Sequence, residues 1–486
     1  MKINIGMLFR LIVLVVWVIL FGRLLSRDYF IDKLEIHESN AIQRNREESY
    51  MGIYFQGERI GYLKNHITVK DSFTIEMIQE ATMNLNVLDN IYPVRINLNA
   101  ELNHGSLLKN FHLGLSSPLY QMDSKGEMIG KTLHYEMNTG KEKVSNTIKL
   151  SEAPFIPTQM RGYLLESNLE KGKKFKIPYF DPITMSGKES VIEYRGFKKE
   201  LFYQKGRIYM VHHFIEKISG MNFSFYLDEQ GKVVKEVSPA GFVFVSEPEF
   251  QAKNIVNKGK ELLSTISVPA IGGNDSLFTL SSVQYRLSLP EDIEFAINQD
   301  RQKYNKNFLV IEKEVIDQNN FEFCKNTDSE LSPTLYVQSD NDHIIYWANK
   351  IVNNINNNYE KINTLISWVY NNIDKKPVLG IPDAVSTLFS RTGDCNEHAA
   401  LFAALSRSLS IPTRIIAGVK YHEGMFYYHA WNEVCINGEW ISLDTTMNQF
   451  PADVTHIKLV QGETNEQMKI GSLIGNLKIE ILGENI

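Results

Sequence analysis

A cysteine, a histidine and an aspartate follow one another as Cys395, His429 and Asp444, each in a local setting that would help its chemistry. A thiol, an imidazole and a carboxylate together can run acyl transfer. The sulfur attacks a carbonyl carbon, the imidazole moves the proton, and the carboxylate orients the ring. Cys395 lies in Gly393-Asp394-Cys395-Asn396-Glu397-His398, ahead of Ala399, Leu401, Phe402, Leu405 and Leu409, which recur at helical spacing until Pro412. The pattern predicts a helix that opens at Cys395. Asp394, with Glu397 three residues on, forms a capping-box sequence, and Gly393 permits a tight approach just before it. The first turn of a helix favours negative charge. A thiolate there can have its pKa lowered to roughly 3.5–7.5. The competing reading is a buried, inert cysteine; the cap, the glycine and the downstream partners weigh against it.

The histidine and the aspartate belong to a second kind of element. Thr413 to Val419 reads as a strand, His422-Glu423-Gly424 as a turn, and Phe426 to Cys435 as a strand rich in aromatics. Asn437-Gly438 is a strong hairpin signal, and Glu439 to Asp444 is the returning strand. A two-residue loop then sets Ile436 opposite Glu439, Cys435 opposite Trp440 and Trp431 opposite Asp444. In that register His429 and Asp444 are diagonal neighbours on one face, about 7–8 Å apart at the backbone. A slip of one residue would part them. Cys435 lies six residues along the strand from His429, about 20 Å away. It is therefore out of reach of Cys395, because a disulfide needs its α-carbons within about 7 Å. Cys435 is expected to be a core or edge residue, and Cys324 carries no partner signal.

These segments resemble the transglutaminase-like superfamily. The resemblance runs from about Leu331 to Gly462 and includes Ala384, Leu388, the Gly393–His398 run, Ile411-Pro412-Thr413-Arg414, His429-Ala430-Trp431-Asn432-Glu433 and Gly438-Glu439-Trp440-Ile441. The stretch from Asp444 through Gln449-Phe450-Pro451-Ala452-Asp453 to His456-Ile457-Lys458-Leu459 is similar to a bacterial branch. The resemblance implies Cys395 as nucleophile, His429 as general base and acid, and Asp444 as the orienting carboxylate. It implies a papain-like α+β core, and a thioester passed on to an amine or to water. The family often has Asp-Pro-Thr at the third position, where this chain has Asp444-Thr445-Thr446; the carboxylate is kept and a rigid turn residue is lost. The Cys395 backbone N–H is a natural first oxyanion donor. Trp368 reads as a helix-core residue and not as the second donor.

The remaining sequence sets the frame. The chain has 486 residues, enough for two or three domains, and a formal net charge of −6 with no basic run, which gives nucleic-acid binding no support. Ile5 to Leu25 is apolar apart from Arg10 and Arg23 and approaches the ~20 residues of a membrane span. A signal peptide is the competing reading, but Phe21 to Ser26 offers no small-x-small cleavage site. Short strands follow, with turns expected at Gln56-Gly57-Glu58, Asp123-Ser124-Lys125-Gly126, Met185-Ser186-Gly187 and Asp228-Glu229-Gln230-Gly231. Ile344, Ala348, Ile351 and Ile355 mark one amphipathic helix; Ile362, Leu365, Ile366, Val369 and Ile373 mark another.

The expected fold class is α+β: a papain-like transglutaminase core at the C-terminus, preceded by a large antiparallel β domain and an N-terminal transmembrane helix. The expected divisions are an anchor (1–27), a stalk (28–47), an antiparallel β domain (48–255), a small β module or linker (256–325), the catalytic domain (326–470) and a tail (471–486). The expected function is a membrane-anchored, cysteine-dependent acyl-transfer enzyme acting on peptide or amide bonds, with its body outside the cytoplasm. Its expected partners are a protein or peptide substrate and the membrane; no cofactor and no metal are called for. The alternatives are a non-catalytic binding or scaffold protein of the cell envelope, or a metal site drawn from Cys395, His429, Asp444 and His398.

Overall fold

The computed structural model describes residues 31–33 and 47–483, apart from short stretches at 72–73, 104–106, 140–142, 151–152, 156–160, 167–168, 203–205, 256–258, 274–275, 291–292, 319–320 and 326. Alternation of apolar and polar residues dominates the first half, and the result is one fifteen-stranded sheet. It consists of two up-and-down meanders, from Glu47–Phe55 to Lys143–Lys149 and from Lys174–Asp181 to Phe242–Glu247, with the short strand Asp32–Lys33 paired parallel on the edge of the second. They join where Phe242–Glu247 pairs antiparallel with Glu47–Phe55. The sheet curls around a core that includes Met77, Leu102, Phe111, Leu133 and Phe180. The turns at Gln56-Gly57 and Asp228–Gly231 form as expected between strands. Asp123–Gly126 does not turn; it lies inside the strand Tyr120–Ile129, where Tyr120, Met122, Ser124 and Gly126 alternate inward. The small inward residues mislead because the Phe111 ring occupies the space: a β-carbon on Gly126 would lie 2.3 Å from it.

A second, nine-stranded sheet carries the rest. Four of its strands are labelled here: β1 (Thr413–His422), β2 (Met425–Ile436), β3 (Glu439–Leu443) and β4 (His456–Gln461). Strands Val268–Ile271, Ser282–Ser288 and Lys478–Gly483 extend it beyond β2. Four helices cover this sheet, α1 (Asp342–Ile351), α2 (Asn358–Asn372) and α3 (Ala384–Ser390) packing on α4 (Cys395–Ser408), which lies on β1 and β2. The asparagines around the first two have a use. Asn341 caps α1, accepting the His343 N–H at 2.9 Å, and Asn357 caps α2, accepting the Glu360 N–H at 3.0 Å. Ile344 and Ala348 of α1 and Ile362, Leu365 and Val369 of α2 bury their side chains against Leu401, Phe402 and Leu405 of α4.

Two expectations are corrected. The described residues are predominantly β, with 51% of them in strands against 18% in helices, so α+β does not describe the whole. The long strands of the barrel-like sheet outweigh the helical layer, which is confined to the C-terminal core. The single-pass membrane protein is likewise not supported. The apolar segment lies outside the described residues, and among those described no helix is long and apolar enough to cross a membrane. Most of the stalk, residues 34–46, also falls outside them.

Candidate active site

Cys395 is the first residue of α4, as its sequence predicts. Asp394 Oδ1 accepts the Asn396 N–H at 2.8 Å, and Glu397 Oε2 accepts the Asp394 N–H at 2.9 Å, so the capping box is complete. Gly393 is required here: a β-carbon would sit 2.3 Å from that of Glu397. The strand after the next, β2, pairs with β3 in the expected register, Ile436 with Glu439 and Cys435 with Trp440. His429 and Asp444 meet across it. His429 Nε2 donates to Asp444 Oδ2 at 2.8 Å, and Asp444 is fully buried. The turn that lacks proline is held another way: Asp444 Oδ1 accepts the N–H groups of Thr446 at 2.7 Å and Met447 at 3.2 Å.

The helix and the strand are tied together directly. Asn432 on β2 donates through Nδ2 to the Ala399 carbonyl of α4 at 3.0 Å. The backbone of Ala430, one peptide from His429, favours the ionised Cys395 sulfur. His429 Nε2 is committed to Asp444, so Nδ1 is the ring nitrogen left for the thiol.

The electrostatics differ from the sequence expectation. Cys395 keeps part of its surface open to solvent, yet burial is the largest influence on the sulfur and pushes the thiol well above its ordinary range. The Asp394 carboxylate adds to this, and the backbone of Ala430 opposes it. The N-cap charge that starts the helix therefore works against a standing thiolate. Glu397 is also pushed well up, by burial and then by the Asp394 charge. Asp444 goes the other way. Burial opposes its ionisation, but the charge and hydrogen bond of His429, and then those of His456, hold it well below the usual carboxylate range.

His456 is the functional-site residue that sequence reasoning missed. It is fully buried on β4 and donates through Nε2 to the same Asp444 Oδ2, at 3.0 Å. Its Nδ1 faces Asp453 Oδ1 at 3.2 Å. Nothing local in the sequence sets β4 against β3, because β4 reaches the site by pairing with β1. His398 stays apart: its Nδ1 donates to the Asp394 carbonyl at 2.7 Å. His429, Asp444 and His456 have ligand-type atoms within 4.8 Å of one another. Both histidines reach Asp444 as N–H donors, and an imidazole nitrogen that carries a proton has no lone pair to offer a cation. Cys324 and Cys435 are not unpaired. They form a disulfide across an α-carbon separation of 5.4 Å, joining the residues before α1 to the end of β2. Trp368 lies half-buried on α2, with Arg391 stacked between it and Trp347 at 4.6 and 4.7 Å.

Residues 345–445 match the family described as the transglutaminase-like superfamily. The chain carries a transglutaminase-like core. The match contains Cys395, His429 and Asp444 and stops short of His456. It supports, in general terms, a cysteine-dependent hydrolase or acyltransferase. No curated protein matches it. Among solved structures it is similar to a candidate cysteine protease from Cytophaga hutchinsonii, at 20% identity, 42% of this chain, 86% of that one and a TM-score of 0.28. A DUF1089 family protein from Pseudomonas aeruginosa matches at 11% identity over 35% and 87% of the two chains, with a TM-score of 0.22. A candidate protease from Parabacteroides distasonis matches at 10% identity over 75% and 67%, with a TM-score of 0.19. Likenesses this slight carry no argument about activity.

Proposed function

We propose that the transglutaminase-like core cleaves or transfers peptide or amide acyl groups through a thioester on Cys395. The observation that carries this reading is the 2.8 Å bond from His429 Nε2 to Asp444, which leaves Nδ1 for a thiol one residue inside a capped helix. In the forward step the Cys395 sulfur attacks the substrate carbonyl carbon while its proton passes to His429. The oxyanion of the tetrahedral intermediate takes the Cys395 backbone N–H, which has no partner within the helix. Collapse breaks the C–N bond, and His429 returns the proton to the departing amine or ammonia. In the second step water or an amine attacks the thioester carbonyl, His429 takes its proton, and the thiol is regenerated.

The raised thiol gives this mechanism a resting state. The sulfur waits as a thiol, and the thiolate forms as His429 accepts the proton, with Asp444 stabilising the imidazolium. The β sheet is assigned the role of selecting or orienting substrates. The test is incubation of the full chain with peptide mixtures and a tagged primary amine. Tag incorporation means transamidation, and new peptide termini or released ammonia mean hydrolysis. Loss of both in Cys395→Ala is the expected result; unchanged turnover in that variant would end the proposal.

A further inference from the structure

Behind the Cys395–His429–Asp444 set lies a second imidazole–carboxylate pair. Asp444 Oδ2 accepts two imidazole N–H groups, from His429 at 2.8 Å and from His456 at 3.0 Å. His456 turns its other nitrogen to Asp453, 3.2 Å from Oδ1 and 3.3 Å from the backbone carbonyl. Asp453 accepts further hydrogen bonds on both oxygens. Its Oδ1 takes the Thr455 N–H at 2.9 Å and the Thr455 hydroxyl, and its Oδ2 takes the Gln449 amide at 2.9 Å. Both ring nitrogens of His456 therefore face groups that only accept, so both must carry protons. A fully buried imidazolium held between two carboxylates satisfies every one of these bonds.

We infer that His456 is a positioning residue of the acyl-transfer reaction: an imidazolium, braced by Asp453, that fixes Asp444 and withholds part of its negative charge from His429. The inference rests on the proposed roles of Cys395, His429 and Asp444. The groups that face His456 are Asp444 from the loop after β3, Asp453 from the loop before β4, and His429 and the Trp431 ring from β2. Lys420 is its register partner on β1. The Arg301 guanidinium, paired with Glu314, clamps the carbonyls of Ala452, Asp453 and His456 at 2.6, 3.1 and 3.1 Å. The loop that presents Asp453 and His456 is thus fixed from its far side. The raised proton affinity of His456, which outlasts its burial because of Asp444 and Asp453, agrees with the geometry.

The consequence is a tuned site. Without the His456 charge, Asp444 would act undivided on His429, and removing a cation raises the proton affinity of every group nearby. The test is the rate of Cys395 alkylation by iodoacetamide against pH, in the full chain and in His456→Gln. The glutamine amide can still donate to Asp444 but carries no charge. The expected result is a profile displaced upward by about one pH unit, with kcat on a cleaved peptide down about tenfold and KM little changed. A slower rate with an unmoved profile would reduce His456 to packing and overturn the inference. Should His456→Gln not fold, ¹⁵N NMR of histidine-labelled wild-type protein reads the ring directly. His456 is expected to carry protons on both nitrogens at pH 7, and a neutral ring there overturns the inference. A wild-type chain whose Cys395 is not alkylated in preference to other sites would instead count against the nucleophile assignment, and the NMR result would stand independently.

Discussion

One carboxylate oxygen serving two imidazoles makes Asp444 the most exacting side chain of the core, since its charge and its geometry are used at once. Asp444→Asn keeps the volume but offers His429 a weaker acceptor or, with the amide turned, a donor. The expected loss is about 10²–10⁴ in kcat, read in a peptide-release assay, with a folded protein by circular dichroism. The same groups fix how stability depends on pH. Asp444 and Asp453 are held below their unfolded values, so their contribution is complete above about pH 4 and is lost as pH falls through their lower native values. His456 is raised, so its contribution is complete below about pH 6.5 and is lost as pH climbs through its native value. Glu397, pushed up by burial and by Asp394, adds a loss of the same sign that starts nearer pH 4. A Tm-against-pH series should fall at both ends, and His456→Gln should flatten the part above about pH 6.5 by removing the ring and weaken the acid limb by taking a partner from Asp444 and Asp453; an unchanged alkaline limb would contradict the charge assigned to that ring. Cys395, His429 and Asp444 could be read from the sequence because a capping box and a two-residue hairpin each fix position locally. His456 could not, because the twelve residues from Asp444 to His456 follow no rule of register.

The elements that hold these residues are joined by few, specific ties. Asn432, fully buried, reaches from β2 to the Ala399 carbonyl of α4, and so ties the strand that carries His429 to the helix that carries Cys395. Asn432→Ala should cost about 1–3 kcal/mol in urea unfolding, and should lower kcat more than it raises KM, because the strand and the helix lose their register. Equal effects on kcat and stability in a distant surface variant would remove the special standing of this bond. Three residues further along β2 the Cys324–Cys435 disulfide closes a loop of sequence separation 111. Backbone bonds flank it, from Asn437 N–H to the Glu322 carbonyl at 2.8 Å and from Cys324 N–H to the Cys435 carbonyl at 3.2 Å. The C324A/C435A variant is expected to lose about 2–5 kcal/mol, measured by urea unfolding without reductant. The sequence placed the helices and the β1–β2–β3 ribbon well, since apolar period and turn residues are local signals. It gave no sign of the disulfide, because Cys324 stands in a segment without strand or helix pattern and meets β2 only through tertiary folding.

The two sheets meet at α3, the helix that ends just before the Cys395 loop. Tyr336 and Ile381, from the helical side, enter the core of the fifteen-stranded sheet. Ser386 donates to the Thr139 carbonyl at 2.7 Å, and Thr139 donates to Asp383, which caps α3, at 3.2 Å. A cavity of about 530 Å³ lies along this seam, lined by Tyr120, Gln121 and Thr139 on one side and by Ser386, Thr392 and Glu397 on the other. Its far wall is therefore the first turn of α4, so a shift of the sheet would be felt at Cys395. The tightest contact is Gly380 against Tyr120, where an added β-carbon would lie 2.2 Å from the ring. Tyr120 is buried and cannot yield without leaving the core it shares with Tyr336 and Ile381. Gly380→Val is therefore expected to lower stability by about 1–3 kcal/mol through overpacking, and to depress Cys395 alkylation as the seam opens. Tyr120→Ala should relieve the clash, so the double variant should be more stable than the sum of the two single losses. Strict additivity would mean that Gly380 and Tyr120 do not bear on each other, and that the sheet sits beside the transglutaminase-like core without acting on it.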